Sequence, residues 1–387
     1  MDSIVVIGGG LAAANALETL RDEGFTGPLT VIAAEPLLPY ERPPLSKEVL
    51  QGAQEFEVLH GAHWYDERDV RVITGAAATA LDLAGRTVTV NTGEALHYDR
   101  LLLATGAQPR RPEIAGADRA LLLRTRADEQ LLRSTFADGV RLVVMGGGWI
   151  GLEVAASARQ AGVDVTVLVR GGAPLSGVLG AELADHLVTL HRSHGVDVRT
   201  GTTVSGITET GVVTDAGELP ADVVLAAIGV TPDTALAEAA GLAVSDGVIT
   251  DNALRTADPH VWAAGDAALA LNTVLGPLRV EHWDNAIRQG KLAARSMLGQ
   301  DVSYDWQPYF FTDQFEFSME YVGHSAPSDA VEMRGDVAGN EFIAYWLGGE
   351  DGRTVTAGMN VGIWDVNDTL RALIGTSVNP AELTDLR

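Results

Sequence analysis

The chain has 387 residues, enough for two or three domains with cores of their own. Its 52 acidic and 27 basic residues give a net charge of −25, which argues against nucleic acid and anionic membranes as partners. The chain lacks cysteine, which excludes disulfides, iron–sulfur ligation and a redox-active dithiol. With no run of about 18 apolar residues and a first strand that begins by Ile4, we expect no membrane span, no signal peptide and a cytoplasmic location.

A strand–turn–helix pattern opens the chain. The apolar residues 4–7 predict a buried strand, and residues 8–13 follow it as G-x-G-x-x-A. The first glycine permits a tight turn, the second lets a pyrophosphate approach the backbone at a helix N-terminus, and the alanine lets helix and strand pack closely. The predicted pyrophosphate-binding residues are Gly8, Gly10, Leu11, Ala12 and Ala13.

The next segment carries charged residues in positions that suit a nucleotide. Glu35 follows the predicted strand 29–33, where an acid can accept from both ribose hydroxyls, although it also suits an ordinary surface glutamate. In the Pro-rich stretch that follows, Ser46 or a neighbour can begin a helix. Arg42 and Lys47 contact either a phosphate or an electron-rich ring, or they are solvated charges.

A second dinucleotide motif follows the apolar strand 142–145. Residues 146–151 are a full G-x-G-x-x-G, and two such folds imply two dinucleotides with electron transfer between them. The following strand, 163–169, ends at Arg170, which suits the 2′-phosphate of NADP, whereas the third glycine is more typical of NAD. We lean to NADPH and leave the choice open. The predicted nicotinamide-cofactor residues of this motif are Gly146, Gly148, Ile150, Gly151 and Arg170.

Two similar strands, each ending in a small turn, indicate crossings between domains, so that residues 111–230 are inserted in a first domain made of 1–110 and 231–303. Residues 304–387 form a C-terminal α+β domain, with strands near 317–322, 329–334 and 342–347 and a helix near 365–374. The candidate binding residues of the two crossing turns are Ala104, Thr105, Gly106 and Gly229.

A further strand, 261–264, leads into Gly265 and Asp266, where the carboxylate either accepts from a ribityl hydroxyl or belongs to an ordinary turn. Trp283 opens a helix to about Leu298, whose N-terminus could stabilise negative charge on a flavin. Trp283 itself could be only a packing aromatic. The scattered histidines show no metal-ligand spacing, and we predict no metal site.

Together these residues resemble the FAD-dependent ferredoxin reductases of bacterial oxygenase systems, and the resemblance covers the whole chain. Its most specific part is the string Arg-Pro-Pro-Leu-Ser-Lys at 42–47. The other residues that carry it are 8–13, 104–106, 123–125, 146–153 and 264–266.

The resemblance implies an α/β fold with two Rossmann-type domains, FAD in the first and NAD(P)H in the second, plus the C-terminal domain. Glu35 would hold the FAD ribose, and Lys47 and Glu153 would meet beside flavin N5 from opposite domains, the glutamate fixing the lysine charge. The residues implied to line FAD are Arg42, Lys47, Arg124, Asp266 and Trp283. Two departures stand out: Phe311 replaces a tryptophan near the flavin, and Val169 replaces the glutamate of NADH-using relatives.

The implied activity moves hydride from NAD(P)H to FAD and then single electrons to a [2Fe–2S] ferredoxin that serves a cytochrome P450 or ring-hydroxylating oxygenase. Arg288, Lys291 and Arg295 share one helix face, where they either meet the ferredoxin or are simply solvated. The rival interpretations are an NAD(P)H oxidase or quinone reductase, and a flavoprotein with interaction roles like apoptosis-inducing factor.

Overall fold

A computed structural model describes residues 2–387. The α-helices within these residues are α1 (Leu11–Asp22), α2 (Glu48–Gln51), α3 (Ala62–Glu67), α4 (Arg126–Ser134), α5 (Trp149–Gln160), α6 (Ser176–Leu179), α7 (Ala181–Ser193), α8 (Ala235–Ala239), α9 (Trp283–Met297) and α10 (Asn367–Leu373). Short 3₁₀ helices span Pro43–Ser46, Ala117–Arg119, Gly265–Ala267 and Pro380–Glu382.

The strands within the same residues are β1 (Ile4–Ile7), β2 (Leu29–Ala33), β3 (Val70–Thr74), β4 (Ala78–Asp82), β5 (Thr87–Val90), β6 (Ala95–His97), β7 (Arg100–Leu103), β8 (Ala107–Pro109), β9 (Arg141–Met145), β10 (Asp164–Val169), β11 (Asp197–Thr200), β12 (Val204–Ile207), β13 (Gly211–Thr214), β14 (Gly217–Pro220), β15 (Val223–Ala226), β16 (Val230–Pro232), β17 (Val244–Ser245), β18 (Gly247–Thr250), β19 (Val261–Ala263), β20 (Ala268–Asn272), β21 (Gly276–Leu278), β22 (Tyr309–Gln314), β23 (Phe317–Gly323), β24 (Ala330–Asp336), β25 (Glu341–Gly348) and β26 (Thr354–Val361).

The chain forms two compact units. The first contains the chain up to Arg42, Phe56–Gln108 and Thr231–Trp306. The second contains Pro43–Glu55, Pro109–Val230 and Gln307–Arg387, so that the C-terminal strands share a unit with the inserted segment. The division into three domains stays a prediction. None of the helices in residues 2–387 has both the length and the apolar content needed to cross a membrane.

The first unit is built on a parallel sheet with the strand order β19-β7-β1-β2-β3. Strand β1 lies in the middle, with Ile4 opposite Leu29 on one side and Arg100 on the other. Its four apolar residues are all buried, as expected for a parallel strand covered on both faces. The chain order reverses between β1 and β7, which is where ligands bind in open α/β sheets.

Helices α1 and α9 pack closely in this first unit because one residue of α9 is a glycine. A Cβ on Gly290 would lie 2.3 Å from the carbonyl oxygen of Ala12, so a larger residue would force the two helices apart. The same apolar core includes Leu17, Trp262 and Ala293. Two further sheets complete the unit, with the orders β4-β5-β6 and β17-β18-β20-β21.

The second unit contains a parallel sheet with the order β11-β10-β9-β15 and a small antiparallel sheet, β12-β13-β14. Its C-terminal part is a five-stranded antiparallel sheet, β22-β23-β26-β25-β24. One apolar core joins Leu152 of α5 and Leu187 of α7 to Phe317 and Trp346 of this antiparallel sheet. The predicted C-terminal strands and helix are present, with ends shifted by one or two residues.

Strand β26 was not predicted, although it lies in the middle of the antiparallel sheet. Its sequence contains Gly358, which weakens a strand signal. The structure shows why this glycine is there: a Cβ at this position would lie 2.9 Å from a methyl carbon of Leu370 in α10. The glycine therefore makes room for the helix that packs on this strand.

Candidate functional site

The two predicted glycine turns have nearly the same geometry. Gly8 has φ +125°, and a Cβ there would lie 2.0 Å from the carbonyl oxygen of Ala104, just past β7. Gly146 has φ +111°, and its Cβ would lie 2.2 Å from the carbonyl oxygen of Ala227, just past β15. Each turn therefore lies at the point of its sheet where the strand order reverses. Only glycine fits at the first position of each turn.

The second glycine of each turn is the N-cap of a long helix, Gly10 for α1 and Gly148 for α5. In the described part of the chain no side chain caps either helix, and nothing lies within 4 Å of a Cβ built at Gly10 or Gly148. The first N–H groups of both helices are thus available to an anion that approaches the backbone. This arrangement suits the pyrophosphate of a dinucleotide at each turn.

The third small residue differs between the turns as the sequence suggests. A Cβ at Gly151 would lie 2.3 Å from the carbonyl oxygen of Gly146, so this position requires glycine. Ala13 takes the equivalent place in the first turn and is fully buried. Near the second turn, Ile150 is 45% exposed, and Arg170, which follows β10, is also exposed. Gly229 has φ +94°.

Polar side chains gather beyond the end of β2 in the first unit. The hydroxyl of Tyr40 donates to Glu35 Oε2 at 2.5 Å, and a guanidinium nitrogen of Arg42 lies 2.9 Å from Glu35 Oε1. Burial lowers the pKa of Arg42, but Tyr40, Glu35 and Asp266 outweigh it, so that its pKa is raised. A carboxylate offers about four lone-pair sites, so Glu35 can accept from ribose hydroxyls as well as from these two partners.

The turn that carries Asp266 is fixed from α9. Gln289 is fully buried, and its Oε1 accepts the backbone N–H of Gly265 at 2.8 Å. Gly265 has φ +75°, and a Cβ there would lie 3.1 Å from the Cβ of Ala12. Sequence reasoning missed Gln289, because a buried glutamine on an amphipathic helix gives no signal of its own. On the same unit, Thr105 donates to the carbonyl oxygen of Asp233 at 2.6 Å.

Lys47 and Glu153 form a buried ion pair in the second unit. Lys47 Nζ lies 3.1 Å from Glu153 Oε1, and the two side chains are 7% and 4% exposed. The ammonium also donates to the carbonyl oxygen of Pro43 at 3.3 Å and lies 5.4 Å from the centre of the Phe311 ring. The resemblance implies that the two residues come from opposite domains. In the structure, the segment Pro43–Glu55, which carries Lys47, packs against α5 and belongs to the same compact unit as Glu153.

Further hydroxyl and amide groups surround Glu153. Ser46 donates to Oε2 at 2.5 Å and Thr312 donates to Oε1 at 2.6 Å. Ser46 therefore does not cap α2, whose N-cap position is Lys47. Gln314 donates to Thr312 at 3.1 Å, and His191 bonds to Gln314 at 2.9 Å. None of these four residues was predicted as a site residue, because they are brought together from three distant segments.

The remaining predicted residues make contacts of their own. Trp283 Nε1 donates to Glu41 Oε1 at 3.0 Å, and the backbone N–H of Arg124 donates to Asp128 at 3.1 Å, just before α4. On α9, Arg288 pairs with Asp284 at 2.9 Å, and Arg295 pairs with Glu23 at the same distance. Among residues 2–387 no ion pair involves Lys291, which is exposed.

Comparisons with known proteins agree with this geometry. The family model described as pyridine nucleotide-disulphide oxidoreductase matches residues 2–290. The ferredoxin–NAD(+) reductase component of the anthranilate 1,2-dioxygenase system of Burkholderia cepacia is 36% identical, with 99% of this chain and 97% of that protein covered. Putidaredoxin reductase CamA of Pseudomonas putida is 35% identical, with 90% and 86% covered.

Among solved structures, the covalent putidaredoxin reductase–putidaredoxin complex matches with a TM-score of 0.92 at 33% identity, covering 97% of this chain and 94% of that chain. The chain therefore belongs to the pyridine nucleotide-disulphide oxidoreductase family, and it is an oxidoreductase that uses FAD and NAD(P)H. The two uncapped helix N-termini, with space beside Gly10 and Gly148, fit the two dinucleotides. Because the chain has no cysteine, it lacks the disulphide of the family's name.

Proposed function

We propose that this protein is a reductase that passes electrons from NAD(P)H through FAD to a [2Fe–2S] ferredoxin, which serves a cytochrome P450 or a ring-hydroxylating oxygenase. The observation that carries the proposal is the pair of glycine turns with uncapped helices, in a chain without cysteine. Because the chain has two dinucleotide sites and no dithiol, the electrons that leave the flavin must pass to an external acceptor. Relatives named as ferredoxin reductases, similar over nearly their whole length, support a ferredoxin in that role.

The two cofactors supply the electron chemistry, in which a nicotinamide gives a hydride and a flavin releases electrons one at a time. The protein binds and orients them. The turn at Gly8 would hold FAD, with Glu35 on its ribose, and the turn at Gly146 would hold the nicotinamide cofactor. The other residues proposed to contact the cofactors are those of the sequence prediction, including Arg42, Ala104, Thr105, Gly106, Arg124, Gly229, Asp266 and Trp283.

In the same proposal, Lys47 supplies a positive charge that favours an electron-rich, reduced flavin. Glu153 is the counterion of this buried ammonium at 3.1 Å, and the pairing offsets the cost of removing the positive charge from water. The division into FAD-binding, NAD(P)-binding and C-terminal domains is part of the proposal. So is a cytoplasmic location, where the nicotinamide cofactor and a reduced ferredoxin are both found.

Anaerobic mixing experiments test this function. The purified protein, with its flavin bound, is mixed with NADH and NADPH separately, and flavin absorbance is followed in a stopped-flow instrument. We expect fast reduction by at least one of them, slow reoxidation by oxygen, and rapid cytochrome c reduction only when a [2Fe–2S] ferredoxin is added. Rapid peroxide formation without ferredoxin would instead support the oxidase interpretation. A colourless protein that cannot be reconstituted with FAD would contradict the proposal altogether.

The exposed face of α9 is the proposed ferredoxin-docking surface, and Lys291 is its sharpest test. Arg288 and Arg295 are paired with carboxylates, so their charge is partly neutralised, whereas Lys291 is not. Because ferredoxins are usually acidic, Lys291→Glu should raise the KM for ferredoxin several-fold and leave ferricyanide reduction unchanged. The matched control is Arg71→Glu, which reverses another exposed charge of the same unit. Equal ferredoxin kinetics in the two variants would rule out this surface.

A further inference from the structure

A line of buried hydrogen bonds runs from Glu153 to helix α7. Thr312 Oγ1 lies 2.6 Å from Glu153 Oε1, Gln314 Nε2 lies 3.1 Å from Thr312 Oγ1, and His191 Nε2 lies 2.9 Å from Gln314 Oε1. All four side chains are buried, and His191 and Thr312 are fully so. The proposed cofactor contacts do not involve Thr312, Gln314 or His191, although buried polar side chains are costly unless they are well paired.

The direction of each hydrogen bond follows from the charge on Glu153. This carboxylate forms an ion pair with Lys47 at 3.1 Å, and a carboxylate has no proton to donate, so it can only accept. The hydroxyl of Thr312 must therefore donate its one hydrogen to Glu153, so its oxygen is left to accept from the amide group of Gln314. The carbonyl oxygen of Gln314 then faces His191, whose Nε2 must carry a proton. The ion pair thus fixes the tautomer of a histidine two hydrogen bonds beyond Thr312.

The surroundings of His191 agree with a neutral ring in this tautomer. Burial lowers its pKa, with His194 lowering it further and the bond to Gln314 opposing this. Its Nδ1 is buried and has no hydrogen-bond partner among the described residues, so this nitrogen is the one without a proton. An imidazolium would leave a buried N–H unpaired.

We propose that Thr312, Gln314 and His191 form a positioning relay that holds the Glu153 carboxylate and limits how far it cancels the charge of Lys47. Each hydrogen bond donated to Glu153 takes up part of its negative charge, so less of that charge opposes the ammonium. The effect on the flavin rests on the function proposed above. The tautomer of His191 does not, since it follows from the protein groups alone.

The tautomer is tested by nitrogen NMR on the flavin-bound protein labelled at histidine. We expect the His191 ring to show a protonated Nε2 and a bare Nδ1. A ring protonated at Nδ1, or at both nitrogens near neutral pH, would overturn the relay. This measurement decides the relay even if the protein turns out not to reduce a ferredoxin.

The midpoint potential of the bound flavin tests what the relay does. His191→Phe and Thr312→Val should each shift the equilibrium towards oxidised flavin by about threefold or more, where tenfold corresponds to ~30 mV for a two-electron couple. Thr312→Ser and His191→Gln keep a hydrogen-bond donor, so the midpoint potential in these variants should stay close to that of the unsubstituted protein. A shift of the midpoint potential in the conservative variants as large as in His191→Phe and Thr312→Val would overturn the proposal.

The matched control is His186→Phe. His186 lies on the same helix and bonds an amide oxygen, that of Asn340 at 2.7 Å, but it is not part of the relay. The variant His186→Phe should lose stability as His191→Phe does, but it should leave the midpoint potential of the flavin unchanged. Equal shifts in these two variants, or no shift in either, would overturn the relay. If His191→Phe does not fold, Thr312→Val carries the same comparison.

Discussion

At the scale of single residues, the Lys47–Glu153 pair is costly to break from one side. Each partner is almost fully buried, so removing one leaves a charge without its counterion in a place that water hardly reaches. Ser46 and Thr312 can stabilise the carboxylate but cannot neutralise it. The pair therefore stabilises the fold mainly because each charge offsets the cost of burying the other. Its contribution must be measured as the coupling energy between the two side chains.

We predict that Lys47→Met lowers the free energy of unfolding by about 3–5 kcal/mol, because Glu153 keeps its buried charge. The double variant, Lys47→Met with Glu153→Gln, should lose clearly less than the two single variants together, since neither charge remains. Denaturant unfolding of the four proteins gives the coupling energy. Additive losses would show that the two side chains do not interact.

A second prediction at this scale concerns the nicotinamide cofactor. Arg170 is exposed at the end of β10, and no ion pair within the described residues engages it. If it binds a 2′-phosphate, Arg170→Ala should lower kcat/KM for NADPH by about ten- to hundredfold, as expected for one charge-assisted hydrogen bond, and leave the NADH value almost unchanged.

Steady-state kinetics with both cofactors test the role of Arg170. Arg199→Ala removes an exposed arginine from the neighbouring strand and is the control. An equal fall for NADH and NADPH, or a wild-type preference for NADH, would count against this role.

At the scale of elements, the strand–turn–helix unit separates what glycine does for folding from what it does for binding. Gly146 has a positive φ, and its Cβ would clash with a carbonyl oxygen 2.2 Å away. Gly148, two residues later, has an ordinary φ of −79° with no neighbour close to where a Cβ would be. The same substitution should therefore have opposite consequences at the two positions.

We predict that Gly148→Ala folds with a stability loss of at most about 1 kcal/mol, the difference between glycine and alanine at an N-cap. Its KM for the nicotinamide cofactor should rise about tenfold or more, because the new methyl group occupies the approach of the pyrophosphate. Gly146→Ala should instead lose stability by more than about 2 kcal/mol through backbone strain and overlap. Thermal unfolding and NAD(P)H titration distinguish the two. A Gly148→Ala variant with an unchanged KM would contradict cofactor binding at this turn.

At the scale of the whole molecule, the second unit draws one core from two sheets that are far apart in sequence. Leu152 and Leu187 come from the inserted segment, whereas Phe317 and Trp346 come from the C-terminal strands. These side chains form one contiguous apolar cluster, so neither sheet keeps its core without the other. The C-terminal strands thus stabilise the predicted nicotinamide-binding part of the chain.

From this shared core we predict that Phe317→Ala lowers the unfolding free energy by about 3–5 kcal/mol. Phe317 is almost fully buried, whereas Trp364 is 51% exposed, so Trp364→Ala should change stability by less than about 1 kcal/mol. Binding of NAD(P)H should weaken in Phe317→Ala alone as temperature rises, although the residue lies outside the glycine turn. Comparable losses in the two variants would contradict a shared core.

The sequence by itself determined the two Rossmann-type units and their glycine turns. Apolar runs, small turn residues and helix periodicity are local, and the first glycine of each turn is required by a carbonyl oxygen just past the neighbouring strand. The family followed from the same residues and is confirmed by the comparisons. The assignment of single residues such as Glu35 or Arg170 to a cofactor remains a prediction, since local pattern does not say what a side chain will meet.

Only the tertiary structure decided the surroundings of the buried ion pair and the partner of Arg295 on α9. Ser46, Thr312, Gln314 and His191 come from three distant segments, and hydrogen bonds between such segments leave no periodic trace in the sequence. Arg295 read as part of a basic face, yet it pairs with Glu23 from the start of the chain. Strand β26 was not predicted for a related reason. Gly358 weakens the strand pattern, and it is required by the packing of helix α10 on the strand rather than by the strand itself.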